Sequence, residues 1–281
     1  MIIEDMKKIL LLIAVAGMLL CTISCGDDDD VRPVRTKFTV NTTMFNHMSS
    51  GNNLIGLATT QNKLEIDTVK HIASLELNYN DGQGNKQLKL DNITATPKGV
   101  NFFMLASPTD PSFKGYVDFS DGSALRYDYT TPDGIRVISM TPDVFFRNTV
   151  SIVTYDDTTK TTTWESAVYQ FTISPSTNTA TVKVMDILHA KDLKRFENIT
   201  SHGVPFKVTA NGFTINATDL KTDAKYTAYV DSTGSSVART NKYPFKTFNA
   251  TIDLANDKLE ANYMIGGSAT VKATGKTYRD Q

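Results

Sequence analysis

Side chains able to do covalent or metal chemistry are few and scattered along this 281-residue chain. Its two cysteines, Cys21 and Cys25, are too few for a four-ligand zinc site or a disulfide framework. Its four histidines, His47, His71, His189 and His202, are too far apart for a compact metal motif, and each reads as a surface or half-buried residue. A Gly-rich phosphate loop, a G-x-S-x-G elbow and an H-E-x-x-H helix are all absent. Asp156-Asp157 and the run Asp27 to Asp30 lack the alternating ligands and glycine of a calcium loop. Glycoside hydrolysis needs two carboxylates facing each other across a cleft, and among 30 acidic residues the sequence nominates no pair. No catalytic residue, metal site or cofactor is therefore expected. The balance of 29 Lys+Arg against 30 Asp+Glu, a net charge of −1, gives no electrostatic basis for binding nucleic acid.

The N-terminus carries the one clear chemical signal. Lys7 and Lys8 precede an apolar run, Ile9 to Leu20, that is shorter than the ~20 residues a membrane-spanning helix needs. Residues 1–24 read as a signal peptide with a helical apolar stretch, translated from Met1 or from Met6. The following Thr22-Ile23-Ser24-Cys25 resembles the lipobox of bacterial lipoproteins, with Thr22 where leucine is usual. That resemblance implies cleavage before Cys25 and acylation of its thiol, which leaves no cysteine for catalysis. Cys21 fits less well because bulky Leu20 precedes it. Gly26, Asp27, Asp28, Asp29 and Asp30 resemble the acidic export signal of Bacteroidota surface lipoproteins. The implied location is the outer membrane, lipid-anchored and facing the cell exterior. An acidic tether over 25–34 beside anionic headgroups should stay extended and solvated.

Beyond the tether, with 40% hydrophobic and 21% charged residues, the chain can bury a core. Period-two alternation in a Thr-, Val-, Phe- and Tyr-rich background predicts strands. Ala73 to Tyr79 and Gln87 to Asp91 alternate on either side of a glycine-rich turn and should form a hairpin. Val168 to Ile173 should pair with Ala180 to Val184 across Pro175. Phe206 to Ala210 should pair with Phe213 to Ile215 across Asn211-Gly212, and Phe248 to Asp253, Lys258 to Met264 and Ala269 to Thr274 should form a meander. Short helices are expected only over Asp186 to Phe196 and Val144 to Thr149. The expected architecture is all-β, with two antiparallel domains, barrel or sandwich, at 35–156 and 164–281, joined by a linker at 157–163.

The segments YQFTISPSTNTATVKV (169–184), Val204-Pro205-Phe206 and TIDLANDKLEANYMIGGSATVKATG (251–275) resemble the calycin-like domains of Bacteroidales lipoproteins. The resemblance covers about two fifths of the chain and implies a small lipocalin-like barrel at its C-terminal end, with no ligand specified.

Aromatic residues crowd the first half, and most should be core. The adjacent pairs Phe102-Phe103 and Phe145-Phe146 should point to opposite faces, leaving one ring of each available to a sugar or protein. Asp67-Thr68-Val69, Asp157-Thr158-Thr159 and Asp231-Ser232-Thr233 resemble Bacteroidota O-glycosylation acceptors, at Thr68, Thr158 and Ser232. The functional expectation is non-catalytic binding of a glycan, a lipid-like ligand or a host protein at the cell surface. A structural or accessory subunit of an outer-membrane complex is the alternative, and a hydrolase with unrecognised carboxylates stands third.

Overall fold

The computed structural model describes residues 36–119, 124–155, 161–189, 194–229, 236–241, 243–266 and 269–276. Thr36–Gln281 forms one compact unit. The described residues contain strands and turns but no helix, which bears out the all-β fold class expected from the period-two patterning.

Eight strands close an antiparallel barrel, each bonded to the next and the last to the first. They are β1 (Lys37–Ser50), β2 (Asn53–Asp67), β3 (Ile72–Asn80), β4 (Asn85–Pro97), β5 (Phe102–Ala106), β6 (Lys114–Asp118), β7 (Ala124–Thr130) and β8 (Arg136–Met140). The expected hairpin around Gly82 and Gly84 is β3–β4. The barrel interior is packed solid: Met44, Leu64, Leu75, Leu77, Ile93, Phe113, Leu125 and Tyr127 are almost wholly buried in one cluster.

The interior also holds a hydrogen-bonded polar group. Asn62 donates to the Tyr127 hydroxyl at 2.9 Å and accepts from the Asn78 backbone N–H at 2.9 Å. Asn46 donates to the Asn78 carbonyl at 2.6 Å, and the Ser139 hydroxyl donates to Asn46. The β2–β3 ladder stops at Lys63↔Glu76, so these two asparagines supply the bonds a continued ladder would have made. Burial holds the Tyr127 phenol well above its usual pKa and therefore neutral.

The other eleven strands form a single sheet. They are β9 (Asp143–Tyr155), β10 (Thr161–Ser174), β11 (Thr179–His189), β12 (Lys194–Pro205), β13 (Lys207–Thr209), β14 (Gly212–Leu220), β15 (Asp223–Tyr229), β16 (Ser236–Asn241), β17 (Phe245–Asp253), β18 (Lys258–Ile265) and β19 (Ala269–Lys276). Their order is β13-β14-β17-β18-β19-β9-β10-β11-β12-β15-β16. The chain passes from β12 to β13 through Phe206 alone, and β12 also touches β14, so the sheet curls round on itself. Its concave side holds Phe146, Phe171, Phe196, Phe213, Phe245, Phe248 and Tyr263, all buried in one cluster.

Two local expectations are corrected. Asp186 to Phe196 is not a helix: β11 runs to His189, β12 starts at Lys194, and Ile187 pairs with Phe196 across the hairpin. Asp186 adopts a positive φ of 53°, and the β12–β15 register slips between Phe196 and Asn198. These irregularities break the alternation that would otherwise mark strands. Val144 to Thr149 is likewise strand, within β9, opposite a doubly bulged stretch of β10 from Trp164 to Tyr169. β9 lies between β19 and β10, so the chain leaves the barrel at Thr141-Pro142.

Candidate ligand-binding face

Along β17 and β18 buried and exposed residues alternate, since one side of the sheet faces the core and the other faces solvent. On the inner side, Ala250, Ala261 and Ala273 lie opposite one another across β17, β18 and β19, between Ile215 on β14 and Ser151 on β9. The outer side is built mainly of amides and hydroxyls.

The register places them in rows perpendicular to the strands. Asn216, Asn249 and Asn262 stand opposite one another on β14, β17 and β18, and the row continues to Lys272 and Ile152. A second row runs Thr214, Thr251, Glu260, Thr274, Val150. A third runs Thr218, Thr247, Met264, Thr270, Thr154, Thr161. From β14 to β19 the first two rows line an open concavity of about 510 Å³, with Ala250, Ala261 and Ala273 forming part of its lining.

The side chains of Asn216, Asn249, Asn262, Thr251 and Thr274 make no hydrogen bond within the described protein, and all five are exposed. Each amide offers two donors and an acceptor, and each hydroxyl one donor and two acceptors. Glu260 pairs with Lys258 on its own strand, and Lys272 stands beside Asn262. One carboxylate and one ammonium leave the concavity without net charge. Val150 and Ile152 add exposed apolar surface at its β9 side, 38% and 43% exposed.

Two other concavities are less suited to a ligand. A groove of about 610 Å³ at one end of the barrel is lined by Lys37, Phe38, Glu65, Asp67, Lys70 and Asp91 among others. Its carboxylates are committed locally: Lys63 pairs with Glu65 at 2.8 Å, Lys89 pairs with Asp91 at 3.1 Å, and Asp67 accepts the Val69 and Lys70 backbone N–H groups at 3.1 and 2.9 Å. A hollow of about 20 Å³ between Tyr116, Arg126 and Phe145 has room for one water molecule.

The carboxylates whose pKa departs from the ordinary range do not form a catalytic pair. Glu65 is lowered by Lys63, Asp67 and Asp81 by backbone N–H groups in their turns, and Asp110 by the Ser112 hydroxyl. A lowered carboxylate stays ionised and is poorly placed to act as a general acid. Deep in the sheet core, the Tyr169 and Tyr263 hydroxyls bond at 2.8 Å, with Ser151 at 3.0 Å from Tyr169. Burial pushes Tyr169 up to about 12 and Tyr263 well above its usual value, so both remain neutral donors.

Cys25, Gly26, Asp27, Asp28, Asp29, Asp30, Thr158 and Ser232 lie outside the described residues. Thr68 sits half-buried in the turn after β2, its hydroxyl donating to the Thr36 carbonyl at 3.2 Å, beside Val69 at 66% exposed. His71 and His202 are exposed, the latter within 3.2 Å of the Thr181 hydroxyl. His47 departs from expectation: it is wholly buried, its Nε2 2.6 Å from the carbonyl of Thr209 on β13. It lies on a stretch of β1 covered on both faces, inside by the barrel core and outside by the sheet.

Phe103 and Phe146 are buried while Phe102 and Phe145 are half-exposed, as alternation requires. The two half-exposed rings do not build a shared platform: Phe102 packs on Tyr116 at 5.5 Å, and the Arg147 guanidinium lies 5.2 Å above Phe145. Trp164 is half-buried, its indole N–H bonded to the Asp186 carbonyl at 2.6 Å. The amide face itself went unread in the sequence. Its trace there is an asparagine adjoining an inward alanine on three strands: Asn216-Ala217, Asn249-Ala250 and Ala261-Asn262.

No protein-family model matches the chain, and no curated protein matches its sequence. Among solved structures, the chain is similar to one from Bacteroides fragilis NCTC 9343 described as a "putative outer membrane protein". The two share 12% identity, with a TM-score of 0.32, over 86% of this chain and 98% of the other.

Proposed function

We propose that this protein is lipidated at Cys25, held on the outer membrane facing the exterior, and binds glycan there without transforming it. The anchor and orientation rest on Thr22 to Cys25 and on the acidic residues Asp27 to Asp30. The binding assignment is carried by one observation: exposed amides and hydroxyls with no partner in the described protein stand in register over an open concavity whose lining holds one carboxylate and one ammonium. Sugars are recognised through closely spaced hydroxyls that both donate and accept, and side-chain amides answer both roles at once. The curled sheet is read as calycin-like, in keeping with its return from β12 to β13 and β14. Its filled core favours a ligand outside the sheet over one in a lumen, where a lipocalin-like barrel would hold a lipid. Thr68, beside an exposed valine in a surface turn, is the acceptor proposed for O-glycosylation.

Exposed Val150 and Ile152 support a second reading, in which the same face meets a protein partner or a neighbouring subunit of an outer-membrane complex. Immobilised protein probed with a panel of neutral and acidic glycans separates the two. Saturable binding of a neutral glycan, lost in Asn249→Ala/Asn262→Ala, is the expected result. Equal binding by that variant would move the site elsewhere, and a blank panel would favour the protein partner.

A further inference from the structure

The rows of the amide face run across the strands, and this direction bears on the shape of the ligand. Adjacent strands lie ~4.7–4.9 Å apart, whereas successive same-face residues along one strand are about 6.6–6.8 Å apart. The chemistry repeats along the shorter spacing: Asn216, Asn249 and Asn262 occupy three adjacent strands, and Thr218 and Thr247 begin a parallel row. An extended peptide rises ~3.3 Å per residue, so its groups fall out of step with the strands within two or three residues. A linear pyranose chain is different, because its ring repeat is comparable to the strand separation and each ring presents hydroxyls on its edge and C–H groups on its face.

We propose that the face binds an extended, neutral glycan chain laid across the strands, successive sugar residues lying over β14, β17, β18, β19 and β9. This rests on the reading of the face as a glycan site and adds the ligand's form and direction. Over β14 and β17 a ring would meet an amide below and threonine hydroxyls on either side; over β18 it would meet Asn262 between Glu260 and Met264, and over β19 Lys272 between two threonines. Lys272 and Glu260 are the charged groups in the concavity, one of each sign, which fits an uncharged chain and disfavours a polyanion. Ile152 continues the asparagine row beyond Lys272 and supplies an apolar contact for the C–H face of the ring over β9. Asn216 marks the opposite end of the row.

The test is a length ladder. Cellobiose to cellohexaose and maltose to maltohexaose are titrated by calorimetry into the full chain in detergent micelles, alongside Asn216→Ala, Asn262→Ala and Ile152→Ala. These side chains are exposed, so unchanged thermal midpoints should show that the variants fold. In one series the affinity should climb with each added sugar, roughly three- to tenfold per residue, and level off near five. Asn262→Ala, at the centre, should weaken every length, whereas Asn216→Ala and Ile152→Ala should weaken only the longer chains. Affinity that is flat beyond the disaccharide, or end variants that behave like the wild type at every length, would overturn the crosswise arrangement while leaving a glycan site. No binding by any member of either series would overturn the glycan reading together with it.

Discussion

Two walls of this molecule share a geometry and differ in what covers them. Strands β6, β7, β8 and β1 form one side of the barrel, and β14, β17, β18 and β19 form one side of the larger sheet; both are antiparallel, with residues in register row by row. On the barrel wall the outward residues Phe45, His47, Arg126, Asp128, Ile138 and Met140 are buried, with Arg136 half-buried and Lys114 exposed at the rim. Phe45, Ile138 and Met140 belong to the apolar core of the sheet, and Leu57 packs against it. Arg126 donates to the Leu254 carbonyl at 2.6 Å and pairs with Asp257 in the β17–β18 turn. Arg136 forks onto Asp128 at 3.0 and 2.8 Å. On the sheet wall the corresponding outward positions are mostly Asn and Thr, with Glu260, Lys258, Lys272 and the half-buried Met264 among them. The covered wall thus carries apolar groups and charges that find partners in the sheet. The open wall carries groups that water satisfies and a hydroxylated ligand could satisfy in its place.

The largest expected effect comes from breaking the covered wall. Arg126→Met would leave Asp257 beside a buried, unpaired position and should cost about 3–5 kcal/mol, read by urea unfolding. A loss below ~1 kcal/mol would mean that the barrel and sheet are not held by this clamp. Gly115→Ala should cost about 1–3 kcal/mol, because its added Cβ would lie 2.5 Å from the Arg126 carbonyl oxygen and 2.9 Å from the Tyr127 Cβ. A wild-type midpoint for that variant would show that β6 and β7 can separate at little cost.

The same seam should respond to acid. Burial lowers the His47 pKa, so the folded protein keeps this imidazole neutral at a pH where the unfolded chain already binds a proton. Its contribution is complete above the unfolded value near 6.5 and is lost as the pH falls from there toward the depressed folded value. His47→Gln should flatten the stability profile over that window, and an unchanged slope would assign the acid response to other groups. The smallest effect on stability belongs to the open wall. Asn249→Ala and Asn262→Ala should leave the unfolding free energy within about 0.5 kcal/mol of wild type. A larger loss would mean that the amides support the sheet and would weaken the contrast between the walls.

How legible each wall was follows from the same difference. β3, β17 and β18 read cleanly as alternating strands because one side of each meets water. The stretch of β1 from Met44 to Ser49 is buried without a break, so its sequence did not reveal that His47 would be enclosed. Asp186, at positive φ, and the bulges opposite Val144 to Thr149 erased the period-two signal and imitated helical spacing. The amide face was hidden for another reason. Asn216, Asn249 and Asn262 become neighbours only through register, and the row reaches Ile152 on a strand far away in sequence. The anchor proposed at Cys25 rests on sequence alone, where a signal segment and its cysteine are neighbours.

The most direct test of the account is thermal unfolding of the protein with and without a saturating neutral glycan, in wild type and Asn249→Ala/Asn262→Ala. At about 100 times its dissociation constant a bound glycan should add roughly 2.7 kcal/mol and raise the wild-type midpoint by roughly 5–10 °C. The account predicts that the double variant unfolds at the wild-type temperature without glycan and gains little with it. An equal gain in both proteins would contradict the assignment of the binding face.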